Sequence, residues 1–306
     1  MSLSDDLRNE LAGIAPRQEC DRLAELSGLF HAAGTVHLRG RGEVAVHLDL
    51  ASSAVARRAF SLLRGFGVES EIRTYRRRAF ERETRYQLHV AGGPHAVQVL
   101  HEAGVLTAGL APLERPPKRV VGRSCCRAAY LRGALLGSGT LSGPRSPHLE
   151  IRTATLAGAE FVVEIADRAG VPLRVLDKGR HAVAYAKGTG PIADVLAAAG
   201  ASDAVLVLEE HVVMGATKAR ANRLANADHA NLVRTSRAAQ EQIRAVRLLQ
   251  RGGGLGSLPP KLREIAHLRL RYPSLSLREL ALRCSPPATK SAVQRRLSSL
   301  VRLAGL

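Results

Sequence analysis

The sequence predicts an α+β chain in which an αββαββα unit occurs twice and an all-α domain follows. Three observations carry this. The stretches Leu26-Ser27-Gly28-Leu29-Phe30-His31-Ala32-Ala33-Gly34-Thr35 and Tyr130-Leu131-Arg132-Gly133-Ala134-Leu135-Leu136-Gly137-Ser138-Gly139-Thr140 have glycines at matching places. The helix and strand signals around the first return around the second, a duplication of about 100 residues. Beyond residue 200 the charge changes: residues 1–200 hold 27 Lys and Arg against 20 Asp and Glu, whereas residues 201–306 hold 18 against 7.

Taken in order, residues 1–19 hold an N-terminal helix with Leu7, Leu11 and Ile14 on its apolar side, stopped at Pro16. The first glycine-marked helix follows over about 19–33, its small-residue face suited to close helix packing and its final Gly-Thr to a helix-to-strand change. Thr35 to Leu38 and Val44 to Leu50 form a hairpin around Arg39-Gly40-Arg41-Gly42. Ser52 or Ser53 caps a helix to Arg64, strands run over 69–75 and 85–90, and a helix from Pro94 ends at Gly104. The second copy repeats the order. A helix over 124–137 precedes strands at 140–142 and 148–152, Thr155 caps the next helix, strands at 173–176 and 182–187 follow, and a helix over 191–199 ends in Gly200. The repeats occupy about 20–105 and 124–201 of a domain spanning 20–205.

The 306 residues carry a net charge of +18 and 45% hydrophobic residues, with no Trp. Such a surplus calls for a polyanionic partner, nucleic acid before membrane. Signal-peptide and membrane-span patterns are missing from the sequence, which places the protein in the cytoplasm, associated with the nucleoid. Cys20, Cys125, Cys126 and Cys284 match no zinc-ligand spacing and no disulfide framework, so reduced, mostly buried thiols are expected and no metal or cofactor. The isolated His211, His229 and His267 read as surface or packing residues.

Residues 206–256 read as a helical linker ending in the flexible run Arg251 to Gly256, which lacks the Lys-Ser/Thr of a phosphate cradle. Its Asn-rich stretch, Asn222 to Thr235, reads first as caps and a bend, with donors to phosphate as the functional alternative. Residues 257–306 form three helices. Pro260 opens the first, with Leu262, Ile265, Ala266, Leu268 and Leu270 inward and Lys261, Arg263, Arg269 and Arg271 outward, and Tyr272-Pro273 stops it. Ser276 caps the second and Thr289 the third, whose Val293, Leu297, Leu300 and Val301 share one face. Such a helix-turn-helix presents the start of its third helix to the major groove. Thr289, Lys290, Ser291, Gln294 and Arg295 are the expected base-reading residues, and Lys261, Arg278, Arg296 and Arg302 the expected phosphate contacts. A helical oligomerisation or docking domain explains the apolar stripe equally well. It leaves unexplained a basic exposed face with no acid after Glu279.

The duplicated unit resembles the LAGLIDADG homing-endonuclease fold. In that family each paired helix ends in an acid before its last Gly, and the two acids hold the metals that cut DNA. Those positions are Ala33 and Ser138 here, and neither replaces a carboxylate. Glu25 lies about 12 Å back along its helix, and Glu150 belongs to the following hairpin. The resemblance thus implies a scaffold without catalytic residues. Leu258-Pro259-Pro260-Lys261-Leu262-Arg263-Glu264-Ile265-Ala266, Ser274 to Leu280, Ser285 to Val293, Cys125 to Gly133 and the Asn-rich stretch are similar to the WhiA family of bacterial sporulation and cell-division regulators, nearly end to end.

The expected function is therefore a sequence-specific DNA-binding transcription regulator of sporulation or cell-division genes, without enzymatic activity. Its implied partners are promoter double-stranded DNA and another transcription regulator or RNA polymerase, with neither a membrane nor a small-molecule substrate. The alternatives are an active LAGLIDADG-type endonuclease or maturase and a protein-interaction adaptor. Whether the arginine-rich turn between Arg73 and Arg85 touches DNA is left open by the sequence.

Overall fold

The computed structural model describes residues 2–39, 43–76, 84–143 and 146–306. The expected turns at 40–42 and 144–145 and the arginine-rich turn at 77–83 lie outside them. The chain divides into two compact units, residues 1–216 and 217–306. Among the described residues no helix is long and apolar enough to cross a membrane.

The first unit opens with α1 (Leu3–Gly13), capped by Ser2 and Asp5 in a reciprocal capping box. It ends before Ile14, three residues short of the expected Pro16 stop. Ser4 Oγ donates to Leu141 O at 2.9 Å and Arg8 Nη2 to Gly139 O at 2.9 Å, tying α1 to the second repeat. The first repeat runs α2 (Glu19–Ala33), β1 (Gly34–Arg39), β2 (Glu43–Leu50), α3 (Ser53–Gly65), β3 (Ser70–Arg76), β4 (Thr84–Ala91) and α4 (Pro94–Glu102). A short α5 (Lys118–Val121), which apolar periodicity did not signal, precedes the second copy. That copy is α6 (Ser124–Ser138), β5 (Gly139–Ser142), β6 (His148–Thr153), α7 (Leu156–Asp167), β7 (Arg174–Asp177), β8 (Ala182–Lys187) and α8 (Thr189–Ala199). Both sheets are antiparallel with the same topology, β1-β2-β4-β3 and β5-β6-β8-β7. Alternation sends Val44, Val46, Leu48, Leu88 and Val90 of one sheet, and Leu149, Ile151, Ala184 and Ala186 of the other, into a common core.

The seam between repeats is α2 against α6. A methyl group on Gly28 would overlap the carbonyl oxygen of Tyr130, and one on Gly133 that of Glu25, so each glycine is what lets the other helix's backbone approach. Glu25 is fully buried beside this crossing. It accepts from Arg58 Nε at 2.6 Å and from Arg132 Nε at 2.8 Å, while Arg132 Nη1 donates to Ala199 O at 3.3 Å. One buried carboxylate thus joins α3 of the first repeat to α6 of the second, and Arg132 carries the link on to α8.

The 50-residue α9 (Ser202–Arg251) passes from the first unit into the second. Asn222, Asn226 and Asn231 lie inside it with exposed side chains, so the stretch is continuous helix rather than a capped bend. An exposed Asn inside a helix costs only a few tenths of a kcal/mol, up to about 0.7, which long flanking helix absorbs. At the glycine run, Gly254 N donates to Leu249 O and Arg263 Nη2 to Gly256 O at 2.8 Å, with Gly253 in the left-handed region at φ 72°. The second unit continues with α10 (Pro260–Arg271), α11 (Leu277–Leu282) and α12 (Lys290–Leu303). Their core joins Ile265, Ala266, Leu280, Val293, Leu297 and Leu300 to Val246 of α9. Arg269, expected outside, is buried. Its guanidinium donates to Leu275 O at 2.8 Å and so satisfies a carbonyl in the α10–α11 turn, which helical periodicity alone does not foresee.

Candidate nucleic-acid interface

At the C-terminal ends of α2 and α6 the first unit opens a cleft of roughly 650 Å³. Ala33 and Ser138 line it, with Asp49 and Glu150 from the sheets and Arg8, Arg85, Arg152 and Arg180 around them. The structure thus brings into the cleft the hairpin acid Glu150 that the sequence set aside, together with Asp49. Neither carboxylate is spare. Asp49 accepts from Tyr75 Oη at 2.9 Å and Arg85 Nε at 3.2 Å. Glu150 accepts from His148 Nε2 at 2.9 Å and Lys178 Nζ at 3.2 Å, and the His148 hydrogen bond, then Lys178, holds its carboxyl below the usual range. Ser138 Oγ donates to Arg152 O at 2.6 Å. Two hard cations need several anionic oxygens free to turn toward them, and these residues do not fit that requirement. With cations outnumbering acids, the cleft suits an anion such as a backbone phosphate.

The faces of the two sheets away from the core are polar. His37, His47 and His89 meet edge to face across the first, with ring centroids 4.9 and 4.6 Å apart along the row. Arg73 is spent on Glu71 at 2.7 Å. On the second, Lys187 lies over the Tyr185 ring at 5.5 Å.

In the second unit, Thr289 caps α12 by accepting from Ala292 N at 3.2 Å, and Ser276 and Glu279 form a capping box on α11. Burial of Val293, Leu297 and Leu300 turns Lys290, Ser291, Gln294 and Arg295 to solvent, all exposed as Thr289 is. Among the described residues no hydrogen bond or ion pair engages the side chains of those four. Arg278, Lys290 and Gln294 come together on one groove of roughly 1220 Å³, whose other wall includes Gln242 of α9. Thr289, Ser291, Arg295, Lys261, Arg296 and Arg302 are not among its lining residues. Lys261 and Arg302 are exposed at the starts and ends of their helices, and Arg296 is half-buried. Arg85, Arg152 and Arg180 are far apart in sequence and carry no common local signal. They come from β4, β6 and the turn between β7 and β8, and meet only where the two repeats line one cleft.

Residues 19–106 match the family described as the WhiA N-terminal LAGLIDADG-like domain, residues 127–218 the WhiA LAGLIDADG-like domain, and residues 221–304 the WhiA C-terminal HTH domain. A protein of Heliobacterium modesticaldum named probable cell division protein WhiA is 35% identical over 99% of this chain and 96% of its own length. One of the same name from Symbiobacterium thermophilum is 35% identical over 99% and 98%. The crystal structure of a full-length WhiA protein from Thermatoga maritima is similar across 100% of this chain and 98% of that one, with a TM-score of 0.58 at 23% identity.

Proposed function

The chain belongs to the WhiA family, and from that premise we propose that it is a sequence-specific DNA-binding regulator of transcription acting on sporulation or cell-division genes. The observation that carries this reading is the start of α12. A capped helix, rigid on its buried side, holds out Lys290, Ser291, Gln294 and Arg295 with no side-chain partner among the described residues, in the geometry by which a third helix reads base edges. Thr289 stands at the same end. Lys261, Arg278, Arg296 and Arg302 neutralise phosphates. Residues 257–306 read DNA, residues 20–205 are an inherited scaffold, and the helical segment 206–256 joins them, its Val246 entering the reading core. In a cell this places the protein on the nucleoid, with a second transcription regulator or RNA polymerase as protein partner.

Selecting bound genomic fragments and sequencing them gives the site. On that site Gln294→Ala or Arg295→Ala costs about 1–3 kcal/mol at particular base pairs, whereas Arg302→Ala weakens all sequences alike and lowers the salt slope by about 1. Equal losses on every sequence for all three variants overturn α12 as the reader.

The same proposal makes the first unit inactive as a nuclease, because Ala33 offers no ligand and Ser138, Asp49 and Glu150 are engaged internally. Supercoiled plasmid incubated with the full chain and Mg²⁺ or Mn²⁺ stays supercoiled. Metal-dependent nicking that is lost on heating the protein decides for the endonuclease alternative.

A further inference from the structure

Three of the four cysteines that show no ligand spacing in sequence meet in space. Cys20 and Asp21 sit in the first turn of α2, Cys125 and Cys126 in the first turn of α6, and one ligand atom from each lies within 4.8 Å of all the others. Cys125 Sγ is 3.9 Å from Cys126 Sγ, and Cys20 Sγ is 3.6 Å from Asp21 Oδ1. The edges of a tetrahedron around zinc, with Zn–S of about 2.3 Å and Zn–O of about 2.0 Å, are about 3.8 Å between sulfurs and 3.5 Å between sulfur and oxygen. These two edges match those dimensions, and the remaining ones lie within 4.8 Å.

We propose that Cys20, Asp21, Cys125 and Cys126 bind one tetrahedral divalent cation of the thiolate-preferring class, zinc above others, and that it staples the two repeats at the N-terminal end of their seam. The glycine crossing at Gly28 and Gly133 fixes the two first turns beside each other, so the ligands are held by rigid helix and not by loop. This end of the seam is roughly 20 Å from Ala33 and Ser138, at 1.5 Å per residue along the helix, and is separate from the position where a nuclease of this fold keeps its metals. Three thiolates and a carboxylate surpass the charge of one divalent ion. The surroundings offset that: two helix N-termini face the cluster without a side-chain cap from Gln18 or Arg123, and Arg123 Nη1 approaches Cys20 Sγ at 3.9 Å.

Crowding without a cation has the opposite effect on the thiols. Burial first, then the Cys20 contact, pushes Cys126 up to about 12, and a hydrogen bond with Asp21 raises Cys125. A bound cation reverses that preference, because a coordinating thiol is deprotonated outright. As the three metal–sulfur bonds form, the three thiol protons pass to buffer, while Asp21 contributes a carboxylate oxygen. Soft thiolates select zinc over magnesium or calcium, and the half-buried Cys20, Asp21 and Cys125 leave an entry path from solvent.

The test is a titration of the reduced full-length chain with Co²⁺, followed by Zn²⁺. The expected result is one cobalt per chain with the strong visible bands of tetrahedral thiolate ligation, erased by one equivalent of zinc, and a zinc-dependent rise in Tm. Cys20→Ser and Cys126→Ser each lose the bands and the Tm response, and Cys284→Ser, buried in the other unit, keeps both. The wild-type titration decides even if a variant does not fold. Faint octahedral absorption, no stoichiometric uptake, a Cys20–Cys126 disulfide that persists under reductant, or bands that survive in both folded cysteine variants overturn the site.

Discussion

The cleft at the ends of α2 and α6 and the exposed start of α12 are built from similar side chains and use them in opposite ways. In the cleft, Ser138 is spent on Arg152 O, Asp49 on Tyr75 and Arg85, and Glu150 on His148 and Lys178. On α12, Lys290, Ser291, Gln294 and Arg295 are held exposed at fixed spacing, and among the described residues no hydrogen bond or ion pair engages their side chains. A polar group satisfied inside the fold supports the fold, and one kept rigid but unsatisfied is available to a partner. The same contrast holds within the cleft, where Ser138 is bonded to the wall and Ala33 carries no polar group at all.

The largest effect that tests this contrast is on Glu25. Removing it in Glu25→Ala leaves the guanidinium groups of Arg58 and Arg132 buried without a counter-charge, and urea unfolding should show a loss of about 3–5 kcal/mol. The sequence preference of DNA binding through α12 stays as it was, because no α12 group takes part. A stability change under 1 kcal/mol means that water reaches both arginines, and the cross-repeat tie is then much weaker than its geometry indicates.

Much of this architecture is written in local signals. Glycine spacing marks the α2 and α6 seam, Ser52, Thr155, Ser276 and Thr289 cap the helices they begin, and strand alternation separates core from surface. The features that sequence does not reveal all depend on distant residues meeting. Glu25 reads as one more helical acid until α3 and α6 bring two arginines to it. Arg269 falls on a polar stripe, yet a turn carbonyl draws it inward. Cys20 lies about 100 residues from the Cys125–Cys126 pair, and they become a cluster only because two helix starts are adjacent. Asn222 to Thr235 carries the opposite lesson: poor helix formers remain helical where a long flanking helix is already formed.

A smaller effect sharpens the α12 side of the comparison. Thr289→Ala deletes the side-chain acceptor for Ala292 N and should cost about 1 kcal/mol of stability in the second unit, read as a shift in its thermal or urea transition. It also loosens the first turn that carries Lys290 and Ser291, so specific DNA affinity falls by more than non-specific affinity. A variant in which both fall equally assigns Thr289 to folding alone.

The smallest effect belongs to Glu150, and its sign follows from the direction of its shift. Hydrogen bonding from His148, then Lys178, lowers the folded carboxyl below its unfolded value of about 4.5, so the folded state favours the ionised form. That contribution is fully present above about pH 4.5 and is lost as pH falls through the lower, folded value. With its side chain 30% exposed the pair is partly screened, and the contribution at neutral pH is about 0.2–1 kcal/mol. Glu150→Gln should therefore lower the urea midpoint slightly at about pH 7 and converge on wild type near pH 3, with added salt shrinking the gap. A gap that is unchanged at low pH assigns the loss to packing in the cleft wall. One that closes shows the acid acting as an internal counter-charge to the basic residues around it, the role that sets the cleft apart from the open face of α12.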